Sequence, residues 1–225
     1  MFLMHDGITY QKDEQRKSCM VVAVSSEKKK ITIPAIVNGY TVTGIFDLAF
    51  AFVNTFEEIT IPSTISTIGE NAFMACTNLT SVKMIKPNYT VPIKNSKVLK
   101  IKAGVFFGCT SLTSVDFFNK ELELADGVFS QCYNLLRLNG RVKVTESNSF
   151  WGCQKLRLIT FANNINLNLL DLSTLRDLEH LYFVENANLA NSVVAQILNK
   201  EIIIHCPKSS NLVEFVHLGC VVKIY

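Results

Sequence analysis

The sequence predicts an α/β fold of the solenoid type, in which short units stack into parallel β-sheets with short helical turns and a cap at each end. Two observations predict it. A motif of about 22 residues recurs along the chain, and the positions it repeats are apolar. A unit of this length cannot bury its apolar side chains alone, so neighbouring units must stack around one continuous core.

The motif is a phenylalanine followed, at intervals of three residues, by a cysteine, a leucine and a branched aliphatic residue or leucine. Four copies are clear: Phe73/Cys76/Leu79/Val82, Phe106/Cys109/Leu112/Val115, Phe129/Cys132/Leu135/Leu138 and Phe150/Cys153/Leu156/Ile159. Degenerate copies begin at Phe50 and Leu172. The six first positions are 23, 33, 23, 21 and 22 residues apart, so one unit carries an insertion of about ten residues.

Stacking turns each position of the motif into a ladder of similar side chains, where only residues of similar volume are tolerated. We interpret the repeated cysteines as small hydrophobic side chains of this core, since Val53 and Leu175 replace them in the degenerate copies. The chain has seven cysteines, an odd number for a disulfide framework. Cys206 and Cys220 are the better candidate pair, because thiols that point the same way in a parallel stack suit disulfide geometry poorly.

The whole chain, residues 1–225, is predicted to be one domain. Residues 1–30 lack the motif and should form an N-terminal cap with strands at 7–10 and 19–24. Residues 31–189 hold the repeats. Alternating patterns predict strands at 79–84 and 112–117 and a second short strand at 65–68, and the 70–75 stretch suits one or two helical turns. Residues 190–225 should form the C-terminal cap, with a helix at 192–198, a strand at 202–205 and a closing segment at 221–225.

Composition excludes several classes of function. Hydrophobic residues make up 48% of the chain, which is ample for a core. The 22 Lys and Arg residues against 19 Asp and Glu residues leave a net charge of +3, far from the basic stripe that nucleic acid requires. No stretch approaches the roughly 18 to 20 apolar residues that cross a bilayer, and residues 1–7 are too short for a signal-peptide core. We therefore expect no nucleic-acid partner and no membrane span.

No residue pattern points to catalysis, a metal or a cofactor, so a non-enzymatic protein is expected. The chain has four histidines: His5, His180, His205 and His217. None lies within five residues of a repeat cysteine, and thiols in core positions are inert. The sequence has no CxxC or HxxxH pair for zinc and no glycine-rich loop for phosphate.

The phrase ITIPSTISTIGENAFMACTNLTSV, with its shorter echoes VFFGCTSLTSV and SFWGCQKL, resembles the BspA-like, or Treponema pallidum-type, class of leucine-rich repeats. The opening DGITY and ITIPAIVNGYTVTGI are similar to the entry segment of that family, and IIIHCPKSSNLVEF resembles its usual last unit. After Phe161 the pattern fades. The resemblance implies a right-handed, curved leucine-rich-repeat solenoid. It also implies a surface or secreted adhesion protein, the role of family members in gut and oral bacteria and some protozoan parasites.

The outward side of the strands is the predicted binding surface. Two residues lie between the buried leucine and the buried aliphatic residue of each unit and should face outward. In the later units these positions, together with Tyr182, give a strip of mixed apolar, aromatic and cationic character: Leu136, Arg137, Arg157, Leu158, His180 and Tyr182. Arginine and aromatic residues are enriched at interface hot spots, so we expect this strip to bind a protein or glycan partner. Ordinary drift of exposed residues toward a cap is the alternative.

The insertion at residues 86–102 is a second candidate, since it places five lysines, Lys86, Lys94, Lys97, Lys100 and Lys102, near Tyr89. Such a cluster either binds an anionic glycan or membrane surface, or is a solvated group that protects a sheet edge. Two functional classes stay open at this stage: a surface or secreted adhesion module, and a cytoplasmic protein-interaction scaffold, which would suit free thiols.

Overall fold

The computed structural model describes residues 1–85, 97–144, 148–163, 165–167, 171–188, 191–218 and 220–225. Their strands are, in chain order, β1 (Phe2–His5), β2 (Ile8–Asp13), β3 (Ser18–Val24), β4 (Lys30–Thr32), β5 (Ile36–Val37), β6 (Tyr40–Ile45), β7 (Glu58–Pro62), β8 (Thr67–Ile68), β9 (Ser81–Ile85), β10 (Val98–Ile101), β11 (Ser114–Leu124), β12 (Arg137–Val144), β13 (Leu158–Phe161), β14 (Ile165–Asn166), β15 (His180–Phe183), β16 (Ala187–Asn188), β17 (Ile203–Cys206) and β18 (Val222–Ile224). Helix α1 spans Asn191–Asn199, and a 3₁₀-helix spans Asn211–Leu218.

The strands that carry the outward positions form the first of two parallel rows. In this row β4, β7, β9, the start of β11 and the start of β12 pair in that order. In the later units β13, β15, β17 and β18 pair in that order, and β13 joins β12 through Phe161, which lies opposite Val142 in the later part of β12. The register places Ile59 opposite Val82, Val82 opposite Val115, and Val115 opposite Leu138. These are the aliphatic positions of the motif, so the predicted ladder is confirmed.

The second row joins β3, β6, β8, β10 and the later parts of β11 and β12, all in parallel. Strand β11 belongs to both rows, because its start pairs with β9 and its end pairs with β10. The strands at 65–68, 79–84 and 112–117 are confirmed in place but not in length. Strand β8 is only Thr67–Ile68, whereas β11 runs on to Leu124.

Turn segments join each second-row strand to the next first-row strand. In five of them two residues with positive φ flank the repeat phenylalanine or its equivalent, two positions before and two after it: Leu48/Phe52, Asn71/Ala75, Gly104/Gly108, Gly127/Gln131 and Asn148/Gly152. This backbone aims alternate N–H groups at the next unit. The N–H of Phe73 donates to the Val105 carbonyl at 2.9 Å, and that of Ala75 to the Phe107 carbonyl at 2.8 Å. The predicted helical turns are thus single turns that also form a third ladder between units.

The phenylalanine ladder lies in the core. Adjacent rings from Phe50, Phe73, Phe106, Phe129 and Phe150 have centroids 4.7, 5.3, 5.3 and 5.8 Å apart, with interplanar angles of 16°, 11°, 6° and 8°. Every ring is at most 2% exposed. One continuous cluster of buried side chains runs from the N-terminal strands to the C-terminal segment. The stacking on which the solenoid prediction depends is therefore present.

The repeat cysteines do more than fill volume. Each thiol donates a hydrogen bond to the carbonyl of the phenylalanine one unit earlier: Cys76 to Phe50 at 3.0 Å, and Cys109 to Phe73, Cys132 to Phe106 and Cys153 to Phe129 at 3.1 Å each. Since valine or alanine has no donor, the column favours cysteine over other small apolar residues.

All seven cysteines are unpaired and buried, so the candidate pair Cys206 and Cys220 does not form a disulfide. The cause lies in the register of the last two strands, which places Ile224 rather than Cys220 opposite Cys206.

The first and last segments of the chain differ from the repeats. At the N-terminus β1, β2 and β3 form an antiparallel sheet, whose first strand the sequence did not predict. At the C-terminus α1 buries Val193, Val194 and Ile197, and the Tyr225 hydroxyl donates to the Phe183 carbonyl at 2.6 Å. The expected helix and strand of this segment are confirmed, the 3₁₀-helix was not expected, and the cap boundaries at 30 and 190 stay predictions. Among the described residues no helix is long and apolar enough to cross a bilayer.

Candidate functional site

The predicted strip lies on the outward side of the first row, on β12, β13 and β15 and the residues just before them. Leu136 and Leu158 are 43% and 36% exposed, large fractions for leucine, and Arg137 and Arg157 are exposed as well. His180 and Tyr182 are half-buried. All six side chains therefore reach the surface, although whether they bind a partner stays a prediction.

Cross-strand register brings two of the six residues together, because Leu158 lies opposite His180. Tyr182 lies opposite Thr160, which is not part of the strip. Arg157 immediately precedes β13 and pairs with Glu179. Arg137 begins β12, one unit earlier, and lies opposite Ser114 of the preceding unit. Leu136 directly precedes Arg137.

The next strand, β17, adds two residues that sequence reasoning missed. Ile203 lies opposite His180, and His205 lies opposite Tyr182. The His205 ring stacks on Tyr182, with centroids 4.1 Å apart and an interplanar angle of 8°. Its Nε2 lies 3.2 Å from Nδ1 of His180, a distance at which one imidazole donates to the other. The outward alternation of 203 and 205 is a signal that would have found them.

The surroundings of His205 favour its uncharged form. Burial lowers the pKa of His205, and the neighbouring His180 and Lys223 lower it further. Two imidazoles that share a hydrogen bond cannot both carry a proton without repulsion. The stacked Tyr182 and His205 rings therefore form an aromatic surface whose ring nitrogens and hydroxyl can take part in hydrogen bonds.

Arg157 is held in place by a carboxylate. Its Nη2 donates to both Glu179 carboxylate oxygens, at 2.6 and 2.7 Å, and this contact raises the pKa of the guanidinium. Both side chains are exposed, so the pair adds little to stability. Its effect is to fix the guanidinium beside Leu158 and His180, which leaves donors directed at solvent.

The lysine insertion is only partly described. Lys86, Lys94 and Tyr89 lie outside the described residues, so the cluster as a whole stays a prediction. Lys97, Lys100 and Lys102 are exposed. The Lys100 ammonium lies 4.0 Å from the Glu123 carboxylate, which also lies 3.6 Å from Lys143.

A groove on the turn segments is a further concave surface, and sequence reasoning missed it. Its volume is about 470 Å³, and its lining residues come from four successive turns. Phe107 and Trp151 are the large side chains of this lining, and Trp151 is 47% exposed. The sequence contains a signal for this groove, because Phe107 and Trp151 each directly follow a repeat phenylalanine. At the same position other units have the residues Ala51, Met74 and Ser130.

Metal ligands and thiol nucleophiles are two features of the described residues that bear on catalysis. They contain no group of three or more His, Cys, Asp or Glu side chains that could hold a metal ion. Burial raises the pKa of the Cys153 thiol, and burial with neighbouring thiols does the same for Cys132. A buried thiol that stays protonated is a poor nucleophile.

The sequence is similar to one family and the fold to several solved structures. The family model of the BspA type leucine rich repeat region matches residues 26–94 and 88–192, in six copies. No curated protein matches the chain at a significant level. The leucine rich repeat protein of T. pallidum aligns over 88% of this chain and 95% of its own, at 18% identity and a TM-score of 0.63. At that identity the likeness establishes the fold alone.

Two further structures align more loosely. A leucine rich cell surface protein from Faecalibacterium prausnitzii A2-165 covers 93% of this chain and 83% of its own, at 16% identity and a TM-score of 0.46. A leucine-rich repeat protein from Bacteroides ovatus ATCC 8483 covers 93% of this chain and 57% of its own, at 21% identity and a TM-score of 0.49.

Proposed function

The chain belongs to the family of BspA-type leucine-rich repeat proteins, whose repeats indicate a protein-interaction module, and from this membership we propose a non-enzymatic adhesion protein. In this proposal the module works at the cell surface or after secretion. It recognises a protein or glycoprotein ligand through the strip formed by Leu136, Arg137, Arg157, Leu158, His180 and Tyr182, which Ile203 and His205 extend.

The observation that carries the proposal is the Arg157–His180–Tyr182–His205 cluster. It combines a fixed guanidinium, two imidazoles and a phenol ring on one outward sheet face. Side chains of this kind supply both contact area and directed hydrogen bonds in protein interfaces.

Rigidity supports the same proposal. Backbone ladders on the two strand rows and on the turn segments order the surface when the chain folds. When a partner docks, this surface therefore loses little additional conformational entropy. Loss of such entropy is a main cost of association.

The strip is tested by direct binding. Laminin, collagen and mucin are immobilised on separate sensors, and binding of the purified chain to each is measured by biolayer interferometry. The variant Arg137→Ala/Arg157→Ala/Tyr182→Ala is measured in the same way. Loss of two arginines and an aromatic ring from a hot spot should weaken binding about tenfold or more.

The control is a triple variant that also removes two cations and one aromatic ring, Phe2→Ala/Arg16→Ala/Lys28→Ala, in the N-terminal segment, and it should bind like the parent. If the strip variant also binds like the parent, the strip is not the binding surface. If none of the immobilised proteins binds the parent chain, the adhesion proposal fails with it.

The unpaired thiols favour a second candidate, a cytoplasmic scaffold. Free cysteines are usual in reducing compartments and rare in secreted proteins. Buried thiols are also compatible with secretion, because thiols that are inaccessible and protonated resist an oxidising environment. Localisation separates the two: protease treatment of intact cells should digest a surface protein and leave a cytoplasmic scaffold whole.

A further inference from the structure

We propose that the groove on the turn segments is a second binding site, which takes a neutral saccharide. It lies on a different part of each unit from the strip and does not depend on the strip's function. Among its lining residues we call Phe107 and Trp151 the walls, Ser130 the floor, and Asn71, Asp126 and Asn148 the polar rim.

The third backbone ladder sets the spacing of the walls. The N–H of Gly108 donates to the Ser130 carbonyl at 2.9 Å, and that of Gln131 to the Trp151 carbonyl at 2.7 Å. Phe107, Ser130 and Trp151 therefore occupy equivalent positions of three successive units. Adjacent hydrogen-bonded chains lie about 4.8 Å apart, so the two aromatic residues are separated by about 10 Å at the backbone.

The residue between them is small and buried. Ser130 is 4% exposed, and its hydroxyl donates to the Asn148 carbonyl at 2.6 Å, so it lines the floor without filling the space. Two aromatic side chains with a short residue between them leave room for one ring-sized group. A volume of about 470 Å³ suits a small oligosaccharide.

The polar rim favours hydroxyl groups as the ligand's contacts. Asp126 supplies carboxylate acceptors, whereas Asn71 and Asn148 supply both donors and acceptors. The Asn148 amide already donates to the Asp126 carboxylate at 3.4 Å, a long bond that a ligand hydroxyl would replace readily. A pyranose ring has hydroxyls along its edge and polarised C–H bonds on its face, which match the negative face of an aromatic ring.

Charge excludes an anionic ligand. Among the described residues, those that line the groove include one carboxylate and no Lys, Arg or His side chain. A sulfated or phosphorylated ligand would bring negative charge to Asp126 without a cation to offset it. A cationic ligand on the aromatic walls and a proline-rich peptide are the competing occupants, and the test includes both.

Trp151 reports directly on the site, because it is the only tryptophan of the chain. Its emission is followed while cellotetraose, maltotetraose, mannotetraose and chitotetraose are titrated into the full chain, with choline and a proline-rich decapeptide in parallel. At least one tetrasaccharide should give a saturable change with a dissociation constant of about 1 mM or tighter. A response to choline or the peptide alone, or no saturable response, overturns the proposal.

Two variants locate the binding. Phe107→Ala and Asp126→Ala keep the tryptophan and should each weaken saccharide binding about tenfold. The matched controls are Phe52→Ala, an exposed phenylalanine of an earlier turn, and Asp171→Ala, an exposed carboxylate of a later one; both should bind like the parent.

Thermal melts identify any variant that fails to fold, and Asp126→Ala then carries the test if Phe107→Ala unfolds. Equal binding by all four variants would place the saccharide elsewhere and overturn the proposal. The strip variant should keep the full saccharide response, so failure of the groove and failure of the strip give different results.

Discussion

Replacing Phe106 by alanine tests the stacked core at its centre. The ring is fully buried and stacks on both neighbours, Phe73 and Phe129, at 5.3 Å, with Phe117 tilted against it at 6.4 Å. Truncation of a buried phenylalanine costs about 3–5 kcal/mol, and each aromatic pair adds about 0.5–1.5 kcal/mol beyond burial. Because two stacked pairs are lost, we expect a loss near the upper limit, about 4–5 kcal/mol.

The measurement is urea unfolding, followed by far-UV circular dichroism and by tryptophan fluorescence. For a chain of this size the slope is about 3 kcal/mol/M, so the midpoint should fall by about 1.5 M. Such a loss is a large share of a total stability of about 5–15 kcal/mol. Coincidence of the two probes shows that the transition is cooperative.

The matched control is Phe52→Ala, since that ring is 62% exposed and belongs to the same kind of turn segment. Exposed substitutions change stability by about 0.5 kcal/mol or less, which shifts the midpoint by about 0.2 M at most. If Phe106→Ala moved the midpoint as little as the control does, the rings could not be a stacked ladder and the column assignment would be refuted.

Three further results are expected. Gly69→Ala should lower the urea midpoint more than Gly39→Ala, because a Cβ at 69 would lie 2.4 Å from the Asp47 backbone nitrogen. A Cβ at 39 meets nothing within 4 Å, so that variant bears only the strain of its positive φ of 82°, about 1–2 kcal/mol; equal midpoints would contradict the close approach at 69. Ellman's reagent should react with few of the seven cysteines in the native chain at pH 8 and with all seven in 6 M urea, and rapid native labelling would contradict their burial. Stability should fall as the pH drops from 7.5 through about 6.5, because the pKa of His205 is lowered in the folded chain and the unfolded chain therefore binds a proton more readily at this residue. The variant His205→Gln should flatten this slope in a pH series of melts.

Much of the fold could be predicted because the core positions recur at a fixed interval. A phenylalanine, a cysteine and a leucine at steps of three residues define the buried side of a unit without knowledge of its neighbours. Such requirements are local to one unit and are therefore visible in the sequence.

Whether Cys206 and Cys220 pair could not be decided from the sequence. Cys206 and Cys220 are close in sequence, but pairing depends on the register of β17 and β18, which places Ile224 opposite Cys206. The thiol donors of the core were also missed, because a hydrogen bond to the preceding unit is absent from any pattern within one unit.

The sequence by itself determined that short units stack and which residues they bury, since period and side-chain volume are properties of the chain. Only the tertiary structure decided which outward residues become neighbours. Tyr182 and His205 meet on the strip, and Phe107 and Trp151 line one groove, although each pair is separated by a full unit or more. The physical reason is that units of unequal length are aligned by hydrogen bonds between them, and that alignment sets the surface a partner meets.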